Sequence, residues 1–286
     1  MKAGASVGAV EAAATSTGLA EQVGELSWYH TIELPHGVVT RGHYDTRRAA
    51  RTVPLPESLA GMRCLDVGTS DGFWAFEMER RGAAEVVALD IDDPARYDWP
   101  EPRPERASRP ANQDPGPNPA FLLAHGALRS SVERVDLPVY DLTPERLGTF
   151  DFVFMGALAL HLRDPVRAYG AVRSVTRGRF LSAEVISIGL TIARPAMPAA
   201  DLAARGLPRW WTPNRAGHRR MLEAAGFDVI ERGGPFFVPF GAGFAPPLGP
   251  RDLWPARVRA MAPAEVFFGL VTRRTGAPHA WALCQP

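Results

Sequence analysis

Residues 65–74 read Leu-Asp-Val-Gly-Thr-Ser-Asp-Gly-Phe-Trp and set an acid and two glycines in one short turn, Asp66-x-Gly68-x-Ser70-x-Gly72. Glycine lets the backbone approach a ligand closely, and the helix that follows turns its N-terminus toward it. A second acid, Asp90, closes the apolar run 85–90. It lies about 20 residues downstream, where a nucleotide-binding α/β unit places the group that takes ribose hydroxyls. A pyrophosphate turn wants G-x-G-x-x-G. Here an acid stands before the first glycine, which would repel a pyrophosphate and suits a cationic ligand bearing an α-amino group.

The elements that must position these residues follow from apolar patterning. Arg63–Val67 is a strand running into the turn, Phe73 to about Arg81 its helix, and Val86–Ile91 the next strand. Residues 93–119 are rich in proline and charge and read as a long surface loop. A helix is expected over Ala120–Leu128, a short strand over Leu137–Tyr140, and an uninterrupted apolar strand over Phe150–Met155, as a buried parallel sheet requires. Asp164-Pro165 and Thr212-Pro213 each read as a cap followed by a helix-tolerant proline, opening helices to about Thr176 and Ala225. Strands are expected at Arg179–Ile186, Phe227–Glu231, Val266–Arg273 and His279–Cys284, with a Gly/Pro/Phe-rich loop over 233–255.

This alternation predicts an α/β fold: a Rossmann-like, seven-stranded, mostly parallel sheet with helices on both faces and an antiparallel C-terminal strand. Ligands then sit at the C-terminal ends of the strands. Three divisions are expected: a disordered tail over 1–25, a small N-terminal cap over 26–58, and the main domain over 59–286. In the cap, Trp28–Leu34 has β-like composition, Pro35-His36-Gly37 is a turn, and Val38–Thr40 pairs back.

The chain has 286 residues, 46% of them apolar, enough for a sizeable core. Its net charge of +1 gives no reason to expect nucleic acid or membrane as a partner. Lys2 is the only lysine, so the other basic residues are arginines. Two cysteines, Cys64 within a strand and Cys284, point to a reducing compartment, and with no membrane-length apolar run the expected location is cytoplasmic. No His/Cys/Asp/Glu set has metal-ligand spacing, so no metal is expected.

S-adenosylmethionine (SAM) is a cationic ligand of the kind the first turn suits. Asp66-x-Gly68-x-Ser70-x-Gly72, Asp90, Tyr140-Asp141 and Phe150-Asp-Phe-Val-Phe-Met155, in this order, resemble the motifs of the class I SAM-dependent methyltransferases. The resemblance covers roughly 60–190. His161-Leu-Arg-Asp-Pro165, Ala183-Glu184-Val-Ile and Trp210-Trp-Thr-Pro213 with Leu222-Glu-Ala-Ala-Gly-Phe227 extend it to the subfamily of wobble-uridine tRNA carboxymethyltransferases. The resemblance implies that Asp66, Gly68, Thr69, Ser70 and Gly72 hold the amino acid end of SAM. Asp90 would bind the ribose and Ile91 pack on the adenine. Asp141 would meet the adenine amino group beside Tyr140, and Met155 would end its strand beneath the cofactor.

For the acceptor side, His161, just past the strand over the methyl group, is the first candidate for a base or positioning group. His30 and Glu184 are the next. His161 could equally be a capping histidine and Glu184 a structural hydrogen-bond hub. Tyr29, His43, Trp210 and Trp211 are candidate acceptor contacts; the two tryptophans are read alternatively as core. Transfer at a sulfonium needs no acid for the leaving group, so such a site chiefly aligns nucleophile and methyl. The carboxymethyl-transferring relatives hold an extra cofactor carboxylate with cations and a tyrosine. Leu160-His161 stands where they carry Tyr-His, and their lysines have no counterpart here. The expectation is therefore plain SAM and a small-molecule acceptor, such as one of secondary metabolism, with tRNA as the alternative substrate. A SAM-binding protein without turnover is the third reading. Phe236, Phe237, Phe240 and Phe244 suit a small, partly apolar acceptor, or equally would seal a core edge or a homo-oligomer contact.

Overall fold

The computed structural model describes residues 17–101, 116–203, 207–244 and 276–286. A helix over 17–25 (α1) precedes β1 (Trp28–His30), β2 (Gly42–Tyr44) and α2 (Ala49–Thr52). The main alternation is β3 (Arg63–Val67), α3 (Phe73–Arg80), β4 (Glu85–Asp90), α4 (Pro119–Leu128), β5 (Glu133–Asp136), α5 (Pro144–Leu147), β6 (Phe150–Gly156), α6 (Pro165–Val175) and β7 (Thr176–Val185). Then come α7 (Ile188–Ala193), β8 (Ala200–Leu202), β9 (Trp211–Pro213), α8 (Arg215–Ala224), β10 (Asp228–Val238) and β11 (Ala277–Gln285).

Seven strands form one sheet in the order β10-β11-β7-β6-β3-β4-β5. β3 pairs in parallel with β4 and β6, β6 with β7, and β11 runs antiparallel between β7 and β10. The chain steps from β3 to β4 on one side and returns to β6 on the other. The crevice between the C-terminal ends of β3 and β6 is thus a topological switch point, where α/β sheets bind ligands. The sheet is buried on both faces. Trp74, Phe154 and Leu181 pack on one side, and Phe150, Tyr169 and Phe180 on the other.

The expected strands and helices appear within a few residues, with four departures. Residues 17–25 are helical, not a disordered tail: Val23 is buried and its carbonyl accepts a hydrogen bond from Trp28 Nε1 at 2.9 Å. Residues 137–140 are not a strand. The pairing segment is β5, and Val139–Asp141 is a short 3-10 turn, because Pro138 lacks the N–H a ladder needs. The strand expected to end at Glu231 runs on to Val238, well into the expected loop. Thr212-Pro213 belongs to β9, and the cap of α8 is Asn214. The strand expected over 266–273 lies outside the described residues.

Residues 26–58 join the core: Trp28, Ile32, Leu34, Val53 and Leu55 pack with Phe73 and Trp74. β1 and β2 pair in parallel, and Val38–Thr40 pairs back as expected, Thr40 N donating to Ile32 O at 3.0 Å. A Cβ on Gly42 would lie 2.2 Å from the His30 carbonyl carbon, so only glycine permits this approach.

Asn214 is wholly buried. Its Oδ1 accepts from Gly217 N (2.7 Å) and Ala199 N (3.1 Å), and its Nδ2 donates to the carbonyls of Arg194 (2.8 Å) and Met197 (2.9 Å). Asn214→Ala should cost about 2–3 kcal/mol in urea unfolding followed by circular dichroism, the sum of a lost cap and stranded buried partners. Asn214→Asp keeps the cap but strands both carbonyls and buries a charge, so it should not restore stability.

Candidate functional site

β3 ends at Val67 and the chain turns back through left-handed Gly68 (φ 80°), Ser70 (φ 55°) and Gly72 (φ 93°). Gly68 N and Thr69 N donate to Leu89 O on β4 at 2.8 and 3.1 Å. Ser70 N donates to Asp90 Oδ2 at 2.7 Å and Ile91 N to Asp90 Oδ1 at 2.8 Å. Asp90 therefore holds the turn, and a carboxylate oxygen can accept more than one bond. A Cβ at Gly72 would lie 2.4 Å from the Phe76 ring, so packing as well as backbone angle demands glycine there.

Asp71, inside the same turn, is fully buried and reaches the N-terminal segment. Its Oδ2 accepts from Tyr29 N and His30 N, both at 2.7 Å, and its Oδ1 meets His30 Nδ1 at 2.5 Å. The sequence reading left Asp71 as a spacer in the motif. Asp66 is also buried; burial raises its pKa to about 7, and its Oδ2 has no hydrogen-bond partner.

Two cavities meet at the switch point. A smaller one of about 240 Å³ is lined by Gly68, Ser70, Asp90, Ile91, Tyr97, Asp98 and Trp99. A larger one of about 580 Å³ is lined by His43, Tyr44, Trp74, Phe154, Arg209, Phe236 and His279 among others. Tyr29, His30, Ser70, Gly156, Ala157, His161 and Pro208 line both, so these residues stand where contents of the two would touch.

His161 closes the short turn Ala159–His161 after β6. Its Nδ1 is bonded to the Pro208 carbonyl. A carbonyl only accepts, so Nδ1 carries the proton and Nε2 keeps a lone pair. Burial lowers the His161 pKa, aided by the charge of Arg209, which favours this neutral form. Glu184 on β7 is buried and lines neither cavity. Its carboxyl accepts from Leu158 N (3.3 Å) and Ala159 N (3.2 Å), the start of the His161 turn. Burial raises its pKa to about 8, partly offset by those two donors. Of the two readings for Glu184, the geometry matches the hydrogen-bond hub.

The structure also separates residues that the motif order grouped. Gly68, Ser70, Asp90 and Ile91 line the smaller cavity; Asp66, Thr69, Gly72, Tyr140, Asp141 and Met155 line neither. Met155 is core on β6, and Asp141 is exposed. Tyr140 donates through its hydroxyl to Asp98 Oδ2 at 2.8 Å. Trp210 and Trp211 are not cavity walls. Trp210 Nε1 donates to Asp98 O at 2.6 Å and Trp211 Nε1 to Arg163 O at 3.0 Å, so both staple neighbouring segments. The wall is made by Leu207, Pro208 and Arg209 just before them. Tyr29 and His43 do line the larger cavity, with rings near-parallel at 6.3 Å. Phe240 and Phe244 stack at 3.7 Å against His43, and Phe236 joins the lining of the larger cavity, whereas Phe237 is exposed. Asp71, Asp98 and Arg209 escaped the sequence reading. Tyr97 and Trp99, two aromatics flanking an acid in a charged, proline-rich stretch, were the available signal for Asp98.

No family model matches the chain. The tRNA U34 carboxymethyltransferase of Azotobacter vinelandii is 26% identical over 179 residues, 60% of this chain and 47% of that protein. The protein of the same name from Pseudomonas paraeruginosa is 26% identical over 176 residues, 59% of this chain and 46% of that one. The chain thus spans about half the length of the curated relatives it matches. Among solved structures, the (4+2) cyclase SpnF superposes with a TM-score of 0.52 at 17% identity, covering 94% of this chain and 92% of that one. The N-terminal domain of EvdMO1 in the presence of S-adenosylhomocysteine (SAH) and D-fucose gives 0.50 at 17% identity, covering 94% and 96%.

Glu184 generates a pH test. Its folded pKa of about 8 lies above the ordinary 4.5, so the native state binds the proton more tightly than the unfolded chain. Stability from this group is complete below pH 4.5 and declines as pH rises toward 8. Glu184→Gln keeps an acceptor for Leu158 N and Ala159 N without a titrating proton. Its melting temperature should match the parent at pH 4 and exceed it at pH 9. Asp66, which titrates in the same direction, is common to both proteins and drops out of the difference. A constant gap across this range would remove Glu184 as the titrating group.

Proposed function

We propose that this chain, which has the class I methyltransferase fold and resembles the tRNA U34 carboxymethyltransferases, is a SAM-dependent methyltransferase acting on a small-molecule acceptor. The observation that supports it is the pair of cavities sharing one wall at the β3/β6 crevice. The smaller offers what SAM needs: an open glycine turn, Asp90 for the ribose, Ile91 and Trp99 beside it, and acids in place of cations. The larger is enclosed by aromatic and histidine side chains of the N-terminal segment, β6, β10 and β11, a lining suited to a compact, partly apolar acceptor.

When bound, SAM supplies an electrophilic methyl on a sulfonium. The protein's own residues align and deprotonate the acceptor. Gly156, part of the shared wall, permits the close packing of β6 on β7 there: a Cβ would lie 2.5 Å from Ala183 O. His161, with Nδ1 held by Pro208, presents Nε2 as the group that takes a proton from an acceptor hydroxyl or protonated amine. His30 is fixed by Asp71 and forms part of the same wall.

A second reading, an RNA acceptor, draws on the names of the curated relatives and on a separate surface cavity of about 480 Å³ lined by Arg215, Arg219, Arg220 and Arg232. Arg219 already pairs with Glu223, and near the N-terminus, where Arg41, Arg47, Arg48 and Arg51 lie close in sequence, Arg47 pairs with Glu33 and Asp45. Filter binding to tRNA with a steep salt slope would favour RNA over the small-molecule reading.

Calorimetry should show SAH binding, weakened at least tenfold by Asp90→Ala, since one or two charge-assisted bonds to the ribose are removed. Transfer of a radiolabelled methyl across a metabolite panel then tests turnover. His161→Gln should lower kcat by ~10²–10⁴-fold and leave SAH affinity unchanged. The rate should rise through a pKa below 6.5 and stay flat above it, because burial lowers the His161 pKa. Absence of SAH binding would end this reading.

A further inference from the structure

We propose that the acceptor carries a single carboxylate on an aromatic or other apolar body, and that Arg209 holds that carboxylate in the larger cavity. The inference rests on the methyl-transfer reading and deepens it. Among the described lining residues of this cavity there is no aspartate or glutamate, whereas Asp90 and Asp98 line the smaller one. Arg209 is the one permanent cation among its described lining residues. Its Nε is buried without a hydrogen-bond partner, and no described acid forms an ion pair with it. The side chain is part-buried, with its Nε left without an acceptor, and a ligand carboxylate would supply both that hydrogen bond and a counter-charge.

The other ionisable groups fix the number of charges the ligand brings. Burial lowers the pKa of His43, His161 and His279, the last to about 4, so these rings face the cavity neutral near pH 7. His30 is bound to Asp71, which already accepts two backbone amides. One permanent positive charge matches a monoanion; a phosphate dianion would need a second cation. Tyr44, Trp74, Phe154 and Phe236 supply the walls for an apolar body. The charge of Arg209 is felt at both Tyr44 and His161. Neutralising it with a carboxylate would raise the proton affinity of His161, so acceptor binding would strengthen the base.

The test uses the full chain, with and without saturating SAH, and compares 2-naphthoate with its neutral isostere 2-naphthamide by calorimetry. The expected result is about tenfold tighter binding of the naphthoate, abolished in Arg209→Leu and partly kept in Arg209→Lys, with SAH affinity unchanged in both. No naphthoate binding at millimolar concentration, or equal binding of the amide, overturns the assignment. So does a preference for carboxy-SAM over SAM that vanishes in Arg209→Leu, which would give Arg209 to the methyl donor. If SAH itself does not bind, the methyl-transfer reading fails, while the naphthoate comparison without SAH still reports on Arg209.

Discussion

The carboxylate of Asp71 is where the two halves of the site are tied together. It sits fully buried in the glycine turn and accepts two backbone amides and one imidazole N–H from Tyr29 and His30. Without it, the turn after β3 and the N-terminal segment would meet only through apolar contact, which sets distance but not orientation. Charge-assisted bonds to a buried carboxylate are directional and costly to break. The position of β1, and hence of Tyr29 and His30 at the shared wall, follows from this one side chain. β2 then docks on β1 through the gap left by Gly42, and Tyr44 bridges to Phe240. An acid in a ligand-binding turn thus acts on the chain itself.

Glu184 plays the same part on the other flank. It fastens the amides of Leu158 and Ala159 to β7, and the Leu158 side chain lies against Gly68, where an added Cβ would come within 3.0 Å. The His161 turn and the glycine turn are thereby set against each other by a backbone anchor on one side and van der Waals contact on the other. Both anchors are buried acids on or beside the C-terminal ends of sheet strands. The sheet provides rigid points, and the short loops that form the walls inherit their precision from it.

This division explains what was readable in the sequence. The sheet was legible because β3, β4 and β6 are apolar runs, and turn glycines and capping acids such as Asp164 mark where they stop. Asp90 was legible because its distance from the turn is a property of the strand–helix–strand unit. The roles of Asp71, Asp98 and Arg209 were not, since each depends on a partner far along the chain: Asp71 on residues some forty positions earlier, Asp98 on Tyr140, Arg163 and Trp210. The choice between the two readings of Trp210 and Trp211 stayed open for a related reason. An indole is equally at home as a cavity wall or as a staple whose N–H finds a carbonyl, and only the fold decides between them. Thr212-Pro213 misled because a hydroxyl before proline is a cap only if a helix follows at once; here β9 intervenes and Asn214 takes the role.

The fold itself does not choose the chemistry, since a cyclase shares it at the same level of similarity as a domain solved with SAH. Charge distribution narrows the choice. Acids line the smaller cavity, and among the described lining residues of the larger there is none, Arg209 standing there instead. A cationic ligand is thus favoured on one side of Gly156 and an anionic one on the other. Attraction across a low-dielectric wall then draws the two ligands toward a common boundary, and it weakens once the sulfonium charge is lost in transfer. Such an arrangement favours a charged donor meeting an oppositely charged acceptor, then releases both products more readily than it bound the reactants.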